Sequence, residues 1–140
     1  MTTMLVSFPG GKRVNAEFDG FALTTDQPRT SGGAGSAPSP FDLFLASIAT
    51  CAGFYAKGYC DTRGLPTEGL ALTMHVEHEP AAQKVGRLVI EIALPTGFPE
   101  KHREGVVRAA ELCAVKKHIQ DPPTFEIHAV SRSLATAGCL

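Results

Sequence analysis

Charge is scarce in this chain and favours neither sign: 14 acidic against 13 basic side chains, a formal net charge of −1, and 19% charged residues in all. With no long basic run there is no electrostatic footprint for nucleic acid or for an anionic membrane surface. Long apolar runs are missing too; the best, over 41–56, is too short and too interrupted to span a bilayer. Residues 1–8 have neither a charged n-region nor a long h-region, so the expectation is no signal peptide and, by default, a cytoplasmic location. The sequence holds no CxxC, no GxxxxGK and no GxSxG, and the glycines at 32, 33 and 35 are spaced wrongly for a dinucleotide fingerprint. His75 and His78, three apart on a strand, face opposite ways, while His102, His118 and His128 have no carboxylate or cysteine at ligand spacing. Neither a metal nor an organic cofactor is expected.

What is present is a single-domain length, 140 residues with 44% hydrophobic side chains, and one dominant stretch, Ser39 to Tyr59. Ser39 is a good N-cap, Pro40 suits the first helical position, and Asp42 falls three residues after the cap. Phe41, Phe44, Leu45, Ile48, Ala52, Tyr55 and Tyr59 recur at three- and four-residue steps, and Leu43, Ala46 and Ala49 leave little of the other side polar. Such a helix is expected to be buried on most of its circumference, which motivates a dimer whose second subunit covers one side. Cys51 shares the apolar stripe.

Around that helix, TMLVSF at 3–8, residues 13–18 and FALTT at 21–25 read as three antiparallel strands joined by PGGK and Asp19-Gly20 turns. Residues 26–39, rich in Gly, Ser and Pro, read as a flexible connector. Gly64 and Pro66 end the helix; Leu70 to Glu77 and VGRLVIEIAL alternate as two long strands. A second helix is expected from about Glu100 to Ile119, stopped by Asp121-Pro122-Pro123, then a last strand over 124–131 and a loose tail over 132–140. The order βββαββαβ gives α+β: an antiparallel sheet packed on two long helices in one domain, 1–140.

Four cysteines in such a chain are expected as thiols rather than a disulfide framework. A helix-borne cysteine often does no more than fill a core. Cys60 lies nine residues after Cys51, half a turn out of phase, and Cys139 is next to last. Cys113 stands out because Lys116 and Lys117 follow it by three and four residues with His118 close by, and cationic neighbours stabilise a thiolate. The same charges equally complement the end of a helix.

The helix SPFDLFLASIATC and the segment CAVKKHI, with cysteines 62 positions apart, resemble the OsmC/Ohr family of small thiol-dependent hydroperoxide reductases over about residues 10–132. The resemblance lies in a PxxLxxASxxxC-like helix ending at Cys51, a CxVxK-like segment at Cys113, Val115 and Lys117, and the Gly-rich approach TSGGAGSAPSP. It implies an intertwined homodimer, Cys51 as the attacking thiol and Cys113 as the resolving thiol, a small organic hydroperoxide as substrate and an external thiol as reductant. An apolar pocket with Phe41, Phe44 and Tyr55 would favour organic hydroperoxides over hydrogen peroxide. Three positions depart from the pattern. Phe41 stands where active members carry Glu, with Asp42 the nearest substitute; the partner Arg falls near Lys12 or Arg13, with Arg29 a weaker candidate; and Ala114 stands where Pro is usual. The expected function is therefore a thiol peroxidase with Lys12, Arg13, Asp42 and Lys117 as thiolate support. The alternative is a non-catalytic, stress-associated binder of small ligands on the same scaffold.

Overall fold

A computed structural model describes residues 2–131. Three strands open the chain: β1 (Leu5–Gly10), β2 (Arg13–Phe18) and β3 (Phe21–Thr25), antiparallel in that order. Gly20 at φ 81 and Asp19 at φ 47 form the β2–β3 turn, the left-handed pair that matches strand twist. Val6, Ala16 and Leu23 lie opposite one another across the sheet, as do Phe18 and Phe21. By alternation these share one face, and most of it is bare: Val6 is 56% exposed and Phe21 67%.

Residues 26–39, expected as a flexible connector, instead form an ordered loop around one buried carboxylate. Asp26 accepts the N–H groups of Gln27 (2.8 Å), Ala34 (3.3 Å) and Ser36 (3.0 Å) and the Ser36 hydroxyl (2.7 Å). Four donors on one side chain replace the missing regular structure, which composition cannot reveal. Gly33 packs so closely on Gln27 that a Cβ there would collide with the Gln27 carbonyl.

The helix α1 (Pro40–Thr62) starts and stops where its local signals place it. Ser39 and Asp42 form a reciprocal capping box, and Gly64 at φ 64 closes a Schellman end in which Leu65 N–H reaches the Cys60 carbonyl at 3.0 Å. Ile48, Ala52, Ala56 and Cys60 make its buried stripe. Within one chain the helix is not buried all round: Phe41, Phe44 and Phe54 are exposed.

The strands β4 (Ala71–Glu79) and β5 (Lys84–Ala93) form a separate two-stranded sheet, so the single sheet expected from the element order is two. Leu72, Met74 and Val76 pair with Ile92, Ile90 and Leu88, and this half-buried face covers α1. Ala56, Cys60 and Val106 are the centre of the core, ringed by Tyr59, Leu72, Ile92 and Phe98.

The second helix is broken. After a 3₁₀ turn at Glu100–His102 come α2 (Arg103–Glu111) and α3 (Ala114–Gln120), with Leu112 and Cys113 between them. Cys113 is therefore outside a helix, at φ −43 and ψ 118, and not inside the continuous helix expected from about Glu100 to Ile119. The expected last strand is also not formed. Residues 122–131 have no regular structure, because no strand among the described residues lies beside them, and Phe125 (82% exposed) and Ile127 (95%) are exposed. The expected tail at 132–140, with Cys139, lies outside the described residues. No described helix is long and apolar enough to cross a membrane.

Candidate active site

Two of the thiols come together where α3 begins against the middle of α1. Cys113 is the N-cap of α3: its sulfur accepts the Lys116 N–H at 3.4 Å, and its thiol is directed at the Ile48 carbonyl of α1 at 3.9 Å. That second contact joins residues 65 apart in sequence and leaves Cys113 only 2% exposed. Cys51, one turn beyond Ile48, is half-buried on the same side.

The Cys51 thiol is held below its usual pKa. The largest cause is the backbone N–H of Val115; burial opposes it; the Cys113 thiol and the Ala114 N–H add to the lowering. Hydrogen bonds to a sulfur favour its charged form, and burial disfavours it. Cys60 is the opposite case. It is fully buried in the core, and burial, with Asp61 adding, pushes its thiol up. Both cysteines lie on α1, yet only Cys51 reaches donors, because the half-turn between them sends Cys60 to the core face.

Of the other sequence candidates, Lys117 begins one turn after Cys113, its N–H bonded to the Cys113 carbonyl at 3.1 Å, and the rest belong to elements other than α3. The Asp42 carboxylate caps α1, taking the Ser39 N–H at 2.9 Å and hydroxyl at 2.8 Å, and those bonds lower its pKa. Arg13 donates to the Gly10 carbonyl at 3.4 Å, and Lys12 and Arg13 line an open recess with Asp26 and the glycine loop. Arg29 is exposed in a 3₁₀ turn, and Lys117 faces a surface recess with His118 and Asp121. None of these cations is among the groups that lower Cys51.

Of the two thiols, Cys113 lines a groove of about 460 Å³ walled by Ile48, Ala52, Leu88, Ile90, Ile92 and Ile119, with Lys116 at its side. A second recess of about 420 Å³ contains Phe41, Phe44 and Leu45 and shares Ile48, Leu88 and Ile119 with the first. The Phe41 and Phe44 rings lie 5.5 Å apart. Tyr55 lines neither recess and packs edge-on against Phe54 at 5.4 Å.

Sequence reasoning missed the Val115 and Ala114 amides and the Ile48 carbonyl. No side-chain pattern announces them, and cysteine is not among the Ser, Thr, Asp and Asn residues that mark a helix start.

The α+β fold brings two thiols near one another, Cys51 on α1 and Cys113 at the start of α3. The chain belongs to the OsmC-like protein family, whose profile matches residues 33–128. Among solved structures it is similar to a Psychrobacter arcticus protein assigned to osmotic stress induction and detoxification response. That match has 24% identity and a TM-score of 0.72, over 84% of this chain and 87% of that one. It is also similar to an organic hydroperoxide resistance protein OsmC of Legionella pneumophila, with 24% identity and a TM-score of 0.58 over 86% and 89%. An OsmC-like protein of Mycoplasma pneumoniae matches at 18% identity and 0.57, over 87% of each chain. At these identities the likeness is one of fold. No curated protein matches.

Proposed function

We propose that this protein is a thiol peroxidase that reduces small organic hydroperoxides through Cys51 and Cys113. The observations that support the reading are a Cys113 thiol seated on the Ile48 carbonyl, one turn of α1 before Cys51, and a Cys51 thiol held below its usual pKa. The Cys51 thiolate attacks the terminal peroxide oxygen; the S–O bond forms as O–O breaks, and the alkoxide leaves as alcohol on taking a proton. The sulfur has then been oxidised by two electrons to a sulfenic acid. Cys113 attacks that sulfur, hydroxide leaves with a proton as water, and a disulfide remains. An external thiol reductant returns the two electrons. The apolar groove beside Cys113 suits a substrate with a hydrocarbon body.

In this reading the active form is a homodimer. The bare apolar face around Val6, Phe21 and Leu23 calls for a covering surface, and a second copy supplies one.

The test is mass spectrometry of the reduced protein after one equivalent of cumene hydroperoxide. A Cys51–Cys113 linkage is expected, and turnover absent in Cys51→Ser. No linkage together with full activity in Cys51→Ser removes the proposal.

A second reading, binding without catalysis, is favoured by Phe41 where the family resemblance implies an acid in active members, and by Lys12, Arg13 and Lys117 being absent from the groups that lower Cys51. It requires that an apolar ligand bind while hydroperoxide leaves Cys51 unoxidised.

A further inference from the structure

We propose that Lys116 is a specificity residue: among the molecules that the groove beside Cys113 admits, its ammonium selects those whose hydrocarbon body carries a carboxylate. The inference rests on the reading of that groove as the seat of the substrate, and it narrows the substrate to an anionic amphiphile.

The wall of the groove is aliphatic and comes from three elements: Ile48 and Ala52 of α1, Ile90 and Ile92 of β5, and Ile119 of α3. The second recess shares Ile48, Leu88 and Ile119 with it, so apolar surface runs on from one into the other. Spaces of about 460 and 420 Å³ take a whole small molecule, not a peroxide group alone. An apolar wall by itself does not choose between neutral and charged molecules of one shape. That choice needs a charge.

Three cations line the two recesses, Lys116 in the first and Lys84 and Arg87 in the second. Lys84 meets Glu79 at 3.5 Å and Arg87 meets Glu77 at 3.3 Å, so each of these has a counter-ion on β4. Lys116 has none among the described residues, although Glu111 lines the same groove. The two groups differ in their surroundings. Glu111 is exposed, where water solvates it, whereas Lys116 is half-buried against the aliphatic wall. An ammonium that has lost part of its hydration gains more from an anion than one in open water. The Lys116 N–H also lies 3.4 Å from the Cys113 sulfur, which sets the base of this lysine against the thiol. A neutral ligand leaves the ammonium without a partner; a carboxylate on an apolar body supplies one while the body covers the wall.

Equilibrium dialysis of radiolabelled decanoate and decanol against the full chain tests this, since the two probes share a body and differ at the head. Lys116→Gln is expected to weaken decanoate about fivefold and to leave decanol within about twofold. Lys116→Arg, which keeps the charge, should retain decanoate binding. Raised salt should weaken decanoate and spare decanol. Ile119, 49% exposed and common to both recesses, locates the site: Ile119→Ser should weaken both probes together. Equal losses for both probes in Lys116→Gln, no loss for either, or unchanged binding in Ile119→Ser overturns the proposal. Neither probe is a peroxide. A protein that holds decanoate through Lys116 yet turns over no hydroperoxide therefore defeats the peroxidase reading and upholds the selectivity, and a peroxidase whose decanoate binding ignores Lys116 does the reverse.

Discussion

The Asp26 carboxylate and the Ser36 hydroxyl meet at 2.7 Å, with Asp26 only 1% exposed, and this contact turns a Gly- and Ser-rich stretch into a fixed approach to α1. The Ser36 hydroxyl is the largest cause, ahead of the Ser36 and Gln27 amides, that lowers Asp26 from 3.8 to about 2.

A depressed carboxyl pKa contributes stability above its unfolded value and loses it as pH falls through the folded value. The loop is therefore expected to hold fully above about pH 4 and to weaken between 3.8 and about 2. Ser36→Ala should move that loss to higher pH. Thermal melts from pH 2 to 6 would check it, and identical curves for the two proteins would contradict it.

At Gly33 a methyl group would meet the Gln27 carbonyl, which is backbone and has little room to give. Gly33→Ala is expected to destabilise by about 1–3 kcal/mol, as overpacking does elsewhere. Urea unfolding measures this directly. Gly58→Ala, on α1 where a Cβ meets nothing, is the control and should be neutral or slightly stabilising.

Cys51 and Cys60 share one helix but have opposite shifts, Cys51 lowered mainly by the Val115 amide and Cys60 raised mainly by burial. At pH 7 Cys51 should be alkylated many-fold faster than Cys60, which should react only on unfolding. Peptide mapping over time resolves the two, and comparable rates would count against the site described.

Removing the resolving thiol should change the product and not only the rate. In Cys113→Ser, cumene hydroperoxide is expected to leave Cys51 as sulfenic and then sulfinic acid, with turnover lost. A dimedone adduct on the Cys51 peptide identifies the first species, and sustained turnover without Cys113 would refute its role.

If a second copy covers the first sheet, light scattering should give twice the 14.8 kDa chain mass. Val6→Glu with Phe21→Glu, on the face that is 56% and 67% exposed at those positions, should shift the mass toward one chain. A wild-type monomer would end the dimer proposal.

Much of the fold was legible in the sequence because its signals are local. Ser39, Pro40, Asp42 and Gly64 each act on backbone within about four residues, so α1 begins and ends as read. Asp19-Gly20 fixes a hairpin by the same logic, since its left-handed turn needs nothing distant. The stretch at 124–131 misled for the complementary reason: alternation marks a chain fit to be a strand, but a strand exists only beside another.

The sequence alone determined that two thiols 62 positions apart ride on apolar segments, and where the long helix carrying the first one runs. Tertiary structure alone decided that Cys113 falls at a helix break and caps α3 against the Ile48 carbonyl, and that Asp26 organises the loop. Those outcomes depend on contacts such as Cys113 to Ile48, across 65 residues, which no pattern read along the chain encodes.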